Sequence, residues 1–229
     1  MPGVSMPQLV ELRSYTLVSG QAEAFAEHFE RHFLASQEEL GMDIVGQFTV
    51  PGDDARFVWV RRFRDPAGRG RALASFYGGP IWAEFGPRAN ELMIDHTDVH
   101  LLIPDPSGPD FAADHVAHAR RPPGGGRSGS TVVAAVYDLG GGEGPPTTPW
   151  PAGERNGDGV TELGRLVTAG VPNDFPRLPV HEDVSVAVWL LSDRAGGEAA
   201  TAAAEAAAGA RGIPLRTTRL TPTVRSTLR

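Results

Sequence analysis

The feature that most restricts this fold is an order of segments. "LVELRSYTL" (9–17) alternates as a strand, with Val10, Leu12, Ser14 and Thr16 on one face and Glu11, Arg13 and Tyr15 on the other. A helical stretch follows, with Phe25, Phe29 and Phe33 at a four-residue period as its buried stripe and Gly41 at its end. "DIVGQFTV" (43–50) and "RFVWVRRF" (56–63) flank "PGDDA" as a hairpin. A second helical region spans 66–94 and breaks near "YGGP" (77–80), and "MIDHTDVHLLIP" (93–104) closes the series as a strand. The order β-α-β-β-α-β is the ferredoxin-like split motif, whose strands lie 4-1-3-2.

The same order returns in eroded form. "STVVAAVYDL" (130–139), "VTELGRLVTA" (160–169) and "DVSVAVWLL" (183–191) read as strands, "EAATAAAEAAAGA" as an Ala-rich helix and "LRTTRLTPTVRS" as a last strand. "GGGEGPPTTPWPAGERNGDG" holds too many breakers to supply the missing first helix. The fold class is therefore α+β. Residues 1–104 form the first ferredoxin-like module, 105–130 a Pro/Gly/Ser-rich linker, and 131–229 a second, degenerate module.

In β-strand parity, Val99, Leu101 and Ile103 share one face of the closing strand and want a helix above them. His96, Asp98 and His100 take the other face. With strand 4 beside strand 1, that row is expected next to Glu11, Arg13 and Tyr15. Such a face lines a pocket in which His96 or His100 acts as acid/base, Asp98 orients it and Tyr15 donates a hydrogen bond. The bland alternative is a polar network, Glu11–Arg13–Asp98, that only joins the modules. Trp59 and Arg61 share a face opposite Val58 and Val60. They are expected either in the pocket, where Arg61 or Arg13 meets an anion, or in packing. "NDFPRLPVHED" (173–183) brings Arg177 and His181 on a stiff connection, either closing one mouth of a barrel or forming a bulge.

Composition removes several chemistries. The chain has no Cys, and all 21 basic residues are Arg, so thiolate and Lys-imine catalysis are excluded. The net charge of −7 argues against non-specific nucleic-acid binding. The Pro145–Pro146 pair after "GGGEG" leaves no helix N-terminus for a dinucleotide. The chain shows no apolar run of membrane-spanning length and no leader pattern, so a cytoplasmic location away from membranes is expected. His96, Asp98 and His100 make a two-His, one-carboxylate row that can hold an open divalent metal, but cupin-like and deaminase-like spacings are absent, so a metal is the runner-up reading and none is expected. His28 and His32 in "HFERH" flank the Phe stripe and read as boundary residues. His115 and His118 lie in the linker, with a lid as their alternative role.

"VELRSYTLVSG", "FYGGPIWAEFGPRANELMIDHTDVHLLIP" and "NDFPRLPV" resemble the NIPSNAP family, specifically its double-module bacterial members. His181 departs from the Arg that relatives carry after "LPV". The resemblance implies the dimeric α/β-barrel superfamily, in which two ferredoxin-like sheets face each other around a pocket. Two modules in one chain imply closure within that chain, and a homodimer of such chains is compatible with it. The function expected is that of a small-molecule enzyme without cofactor: an isomerase, cyclase, lyase or cofactor-free oxygenase working by acid/base chemistry on an apolar or aromatic metabolite. The alternatives are a non-catalytic small-molecule or haem-binding module and a degenerate structural protein.

Overall fold

Alternation in 9–17 and 93–104 produces two adjacent antiparallel strands, and the rest of the architecture is built outward from them. The computed structural model describes residues 8–109, 111, 129–140, 149–150, 156–157 and 159–229. The first half runs β1 (Leu9–Leu17), α1 (Ala22–His28), a π-helical turn (Phe29–Phe33), α2 (Leu34–Glu38), β2 (Asp43–Val50), β3 (Asp53–Phe63), α3 (Pro66–Tyr77), α4 (Pro80–Leu92) and β4 (Met93–Pro104). The second half runs β5 (Thr131–Asp138), the two-residue β6 (Asn156–Gly157), β7 (Val160–Thr168), β8 (Val186–Asp193), α5 (Glu198–Gly209) and β9 (Leu215–Pro222). His115, His118 and most of the "GGGEGPP" segment lie outside the described residues.

The π turn has a cause in the sequence. A strict four-residue Phe period overshoots a 3.6-residue turn, and one wider turn brings the rings back to a single face. Phe25, Phe29 and Phe33 are all buried there. Pro66 and Pro80 each open a helix at its first turn, and the Asp65 side chain accepts from the Gly68 N–H at 2.7 Å.

The sheet order is β4-β1-β3-β2-β9-β5-β8-β7-β6, and β4 also pairs with β7. Eight strands thus close into a barrel within one chain. Each half contributes its strands in the order last, first, third, second. The two seams are equivalent: β2 meets β9 through Phe48↔Pro222 and Thr49↔Thr221, and β4 meets β7 through Leu102↔Thr168, Ile103↔Val167 and Pro104↔Leu166. These are two tandem ferredoxin-like units closed on each other.

Three cores result. Val10, Leu12, Val58, Val60, Leu102, Val188, Leu190 and Leu220 fill the barrel interior, with Phe111 and Leu228 buried among them. An eight-stranded barrel is just wide enough for its own side chains to fill. On the outside of the first half, α1, the π-helical turn, α3 and α4 cover Tyr15, Trp59, Phe63 and Leu101. On the outside of the second, Ala200, Ala204 and Ala207 of α5 lie on Val133, Ala135, Tyr137 and Trp189, and Trp150 joins them.

The faces differ from the expectation in two places. Leu101 and Ile103 do pack beneath the helices, and Asp98 and His100 point away from them. Glu11, Arg13 and Tyr15, however, share the helix-covered side: Arg13 pairs with Val99 and Glu11 with Leu101, while Leu12 and Ser14 pair with His100 and Asp98. Trp59 and Arg61 follow them to that side, because Arg13 pairs with Trp59 and Glu11 with Arg61. The physical reason is volume. Both faces of a closed barrel are buried; branched residues fill most of its narrow interior, whereas Tyr15, Trp59, Arg13 and Arg61 take the wider space between sheet and helices. His96 departs for another reason. Between Ser14↔Asp98 and Thr16↔Asp95, β4 carries one extra residue, which offsets the alternation and turns His96 to the helix side.

Candidate functional site

Among the described residues, mostly apolar side chains fill the barrel interior where a pocket is expected, and a void of about 30 Å3 lies beside Asp98 and His100. The sequence-predicted residues separate instead into two sites on opposite faces of β4.

The first lies between the sheet and the helices of the first half. It is a cavity of about 440 Å3 lined by Tyr15, Phe25, Phe29, Phe33, Trp59, Phe76, Tyr77 and Trp82, with His96, Gln37, Asn90 and Arg177 as polar members. That volume lies in the range of small-molecule sites. The Tyr15 and His96 rings stand edge to face with centroids 6.3 Å apart. Part of the wall comes from the β7–β8 connection. Phe175 stacks on Tyr77, Leu178 joins the core, and Arg177 lines the opening. The "NDFPRLPVHED" segment therefore covers this cavity, and at its far end it carries His181 to the barrel mouth.

Beneath the cavity lies a buried ionic network. Glu11 Oε2 accepts from Arg13 Nη1 at 2.8 Å and from Arg61 Nε at 2.6 Å, and Glu11 Oε1 accepts from Arg69 Nε at 2.6 Å. All four side chains are fully buried. Arg69 also pairs with Asp174, and its Nη1 donates to Asn173 Oδ1 at 3.1 Å. Burial acts to raise the Glu11 pKa, but Arg61, Arg13 and Arg69 together outweigh it and hold the carboxyl well below the usual carboxylate range. Three guanidiniums share two carboxylates, Glu11 and Asp174, and the Nη2 groups of Arg13, Arg61 and Arg69 are buried with no acceptor among the described residues. The polar network anticipated as the bland reading exists, with Arg61 and Arg69 in place of Asp98. Arg69 carried no signal at the sequence level, because it sits on α3 and meets Glu11 only through tertiary packing.

One residue connects network and cavity. Arg13 Nε donates to Tyr15 Oη at 2.9 Å, and the Arg13 guanidinium also lies 5.6 Å from the Trp59 ring. The phenol oxygen is thereby engaged as an acceptor, and its own O–H is left for a partner.

The second site is the barrel mouth. Asp98 Oδ1 lies 3.2 Å from His181 Nε2 and 3.6 Å from His100 Nε2, and Asp98 Oδ2 accepts from Arg216 Nη1 at 3.0 Å. The His100 and His181 rings are 4.8 Å apart. Burial lowers the His100 pKa most. Asp98 raises it, His181 and Arg216 lower it again, and the result is about 4. His100 is thus a neutral imidazole at physiological pH rather than a shuttle poised near it. Asp98 is held low: burial raises its pKa, and the Arg216 bond and charge more than offset that. An open cavity of about 580 Å3 lies above the cluster.

His28 and His32 are partly buried at the edge of the helical layer. His32 stacks on Phe85 with centroids 3.8 Å apart, and the His28 Nε2 is 3.0 Å from the Phe85 carbonyl oxygen. The two rings are 4.9 Å apart.

The NIPSNAP family profile matches residues 10–109, which span β1 to β4 and the turn beyond. Those residues resemble a NIPSNAP domain. Both candidate sites draw on this segment, the first almost entirely and the second through Asp98 and His100. An uncharacterized NIPSNAP-like domain protein from Burkholderia xenovorans is 29% identical over 43% of this chain and 86% of its own, with a TM-score of 0.40. A NIPSNAP family protein of unknown function from Agrobacterium tumefaciens is 22% identical over 43% of this chain and 88% of its own, with a TM-score of 0.39. A candidate monooxygenase from Fusobacterium nucleatum aligns with 95% of this chain and 93% of its own at a TM-score of 0.52 and 8% identity, a likeness of fold that extends beyond the NIPSNAP-like segment through the second half. No curated protein matches the chain. No helix among the described residues is long and apolar enough to cross a membrane.

Proposed function

We propose that the chain is a small-molecule enzyme that moves a proton on an aromatic, enolisable metabolite held in the cavity of its NIPSNAP-like domain. The observation that carries this reading is the pairing of His96 and Tyr15 on one aromatic cavity wall, with Arg13 behind the phenol. The aromatic walls select a flat, apolar body. His96 takes a proton from carbon next to a carbonyl, and the C–H electron pair moves onto the carbonyl oxygen as an enolate. The Tyr15 O–H donates to that oxygen, and the excess positive charge of the Arg13–Arg61–Arg69 cluster favours it over the neutral ketone. Return of the proton from His96 to a different carbon completes an isomerisation. Expulsion of a group beyond that carbon completes an elimination. Arg177 stands at the opening, where it pairs with a substrate carboxylate. Neither route needs an organic cofactor. In this reading Glu11, Arg13 and Arg61 shape the field of the site and do not touch substrate, and Asp98, His100 and His181 belong elsewhere.

Proton exchange tests this before the natural substrate is known. Phenylacetone and β-tetralone are incubated with the protein in D2O, and loss of the α-proton signal is followed by NMR. Binding is read in parallel from quenching of tryptophan fluorescence. Faster exchange that disappears in His96→Ala while binding persists is the expected result. Binding without exchange would leave a non-catalytic binding module, and the absence of both would sink the reading.

A further inference from the structure

A second, separate site follows from the barrel mouth. We propose that Asp98, His100 and His181 bind a first-row divalent transition metal there, with open coordination positions facing the cavity above. The sequence alone grouped His96 with Asp98 and His100 and argued against a metal. The extra residue in β4 removes His96, and the β7–β8 connection replaces it with His181.

Geometry is the first argument. One atom from each of the three side chains lies within 4.8 Å of the others. Metal bonds of about 2.0–2.2 Å to imidazole nitrogen and carboxylate oxygen set neighbouring ligand atoms roughly 3 Å apart. The 3.2 Å between His181 Nε2 and Asp98 Oδ1 already meets that spacing, and the 3.6 Å from His100 Nε2 is a small closure away. At that distance His100 Nε2 is beyond hydrogen-bond reach of Oδ1, so a hydrogen-bonded His–Asp pair accounts for His181 and not for His100.

Position and charge are the second. Asp98 and His100 project from one strand face, and His181 is pinned beside them by its backbone N–H, which donates to the Val99 carbonyl at 2.8 Å. Arg216 occupies Asp98 Oδ2 and so turns Oδ1 toward the two imidazoles, the role that outer partners play around metal-binding carboxylates. Asp95 and Asp138 also line the mouth, so three carboxylates face one guanidinium and the local field favours a cation. An imidazole and carboxylate set with three protein ligands suits zinc, cobalt or ferrous iron with room for water or substrate.

The test uses the full chain without an affinity tag, stripped with chelator and titrated with Zn(II) by calorimetry and with Co(II) by visible absorption. About one ion per chain is expected, with a cobalt spectrum of nitrogen and oxygen ligation. His181→Ala and His100→Ala should each weaken binding by more than roughly 100-fold, beyond the cost of losing an outer partner. His181 is partly exposed, and an unchanged melting curve will show that its variant folds. His32→Ala is the control, because His28 and His32 are the rival imidazole pair. Failure to bind either ion at about micromolar concentration, or binding that survives both mouth variants or is lost in His32→Ala, would overturn the proposal. Neither outcome bears on proton exchange in the aromatic cavity.

Discussion

Arg13 and Tyr15 stand two residues apart on β1, and the Arg13 Nε–H donates to the Tyr15 hydroxyl oxygen at 2.9 Å. The bond connects a buried cluster of charge to the wall of an aromatic cavity. Removing the hydroxyl separates the two. Tyr15→Phe should keep the fold, losing about 1–3 kcal/mol because the buried Arg13 Nε–H is left without its acceptor. Proton exchange or turnover should fall by roughly 10²–10³, the usual cost of a lost oxyanion donor. Urea titration beside the exchange assay checks both, and equal losses of activity and of folded protein would contradict the role given to the hydroxyl.

Glu11 is the anion on which three guanidiniums converge. Glu11→Gln leaves them with Asp174 as their remaining carboxylate, and a cost of about 3–5 kcal/mol at neutral pH is expected. The sign of the pH dependence follows from the depressed folded-state pKa. The contribution of Glu11 is fully present above its unfolded value, about 4.3. It is lost progressively as pH falls below that value toward the folded one. The stability gap between wild type and Glu11→Gln should therefore narrow between about pH 5 and pH 3. Urea midpoints across that interval measure it.

Phe175 covers the aromatic cavity by stacking on Tyr77, and its loop is tied down where Asp174 meets Arg69. An aromatic pair of this kind contributes about 0.5–1.5 kcal/mol. Phe175→Ala should lower the melting temperature by roughly 1–6 °C and, by opening the cavity wall, weaken ligand binding. Fluorescence titration with β-tetralone reads the effect.

The second half closes the barrel through β2–β9 and β4–β7. Expressed alone, residues 130–229 would expose Val132, Val188, Leu190 and Leu220 to water. That fragment should give poorly dispersed amide resonances. A well-dispersed spectrum would mean that the halves fold independently.

Much of the fold was legible because hydrophobic periodicity and breakers are local signals. The strands at 9–17, 43–50 and 93–104, the break at "YGGP" and the Ala-rich helix all stand where pattern placed them. Leu101 beneath the helices and Asp98 turned away from them follow from the two-residue period alone. Within β4 that period failed at His96. The bulge had a trace in the sequence: Asp95 accepts from the Thr97 N–H at 2.9 Å, the short-range habit of Asp that competes with regular strand.

By itself, then, the sequence determined which segments are strands and helices, their order, and which residues within a regular strand travel together. Only the tertiary structure decided which side of the sheet each row occupies. A closed barrel buries both faces, so polarity no longer marks the outside, and the volume on each side does the sorting. Arg13 and Trp59 lie beneath the helices, while Val and Leu side chains fill most of the interior of the eight strands. His181 came to lie on Asp98, far away in the chain, because the β7–β8 connection runs across β4 at the seam. No local pattern encodes such a meeting, since it depends on how the two halves close.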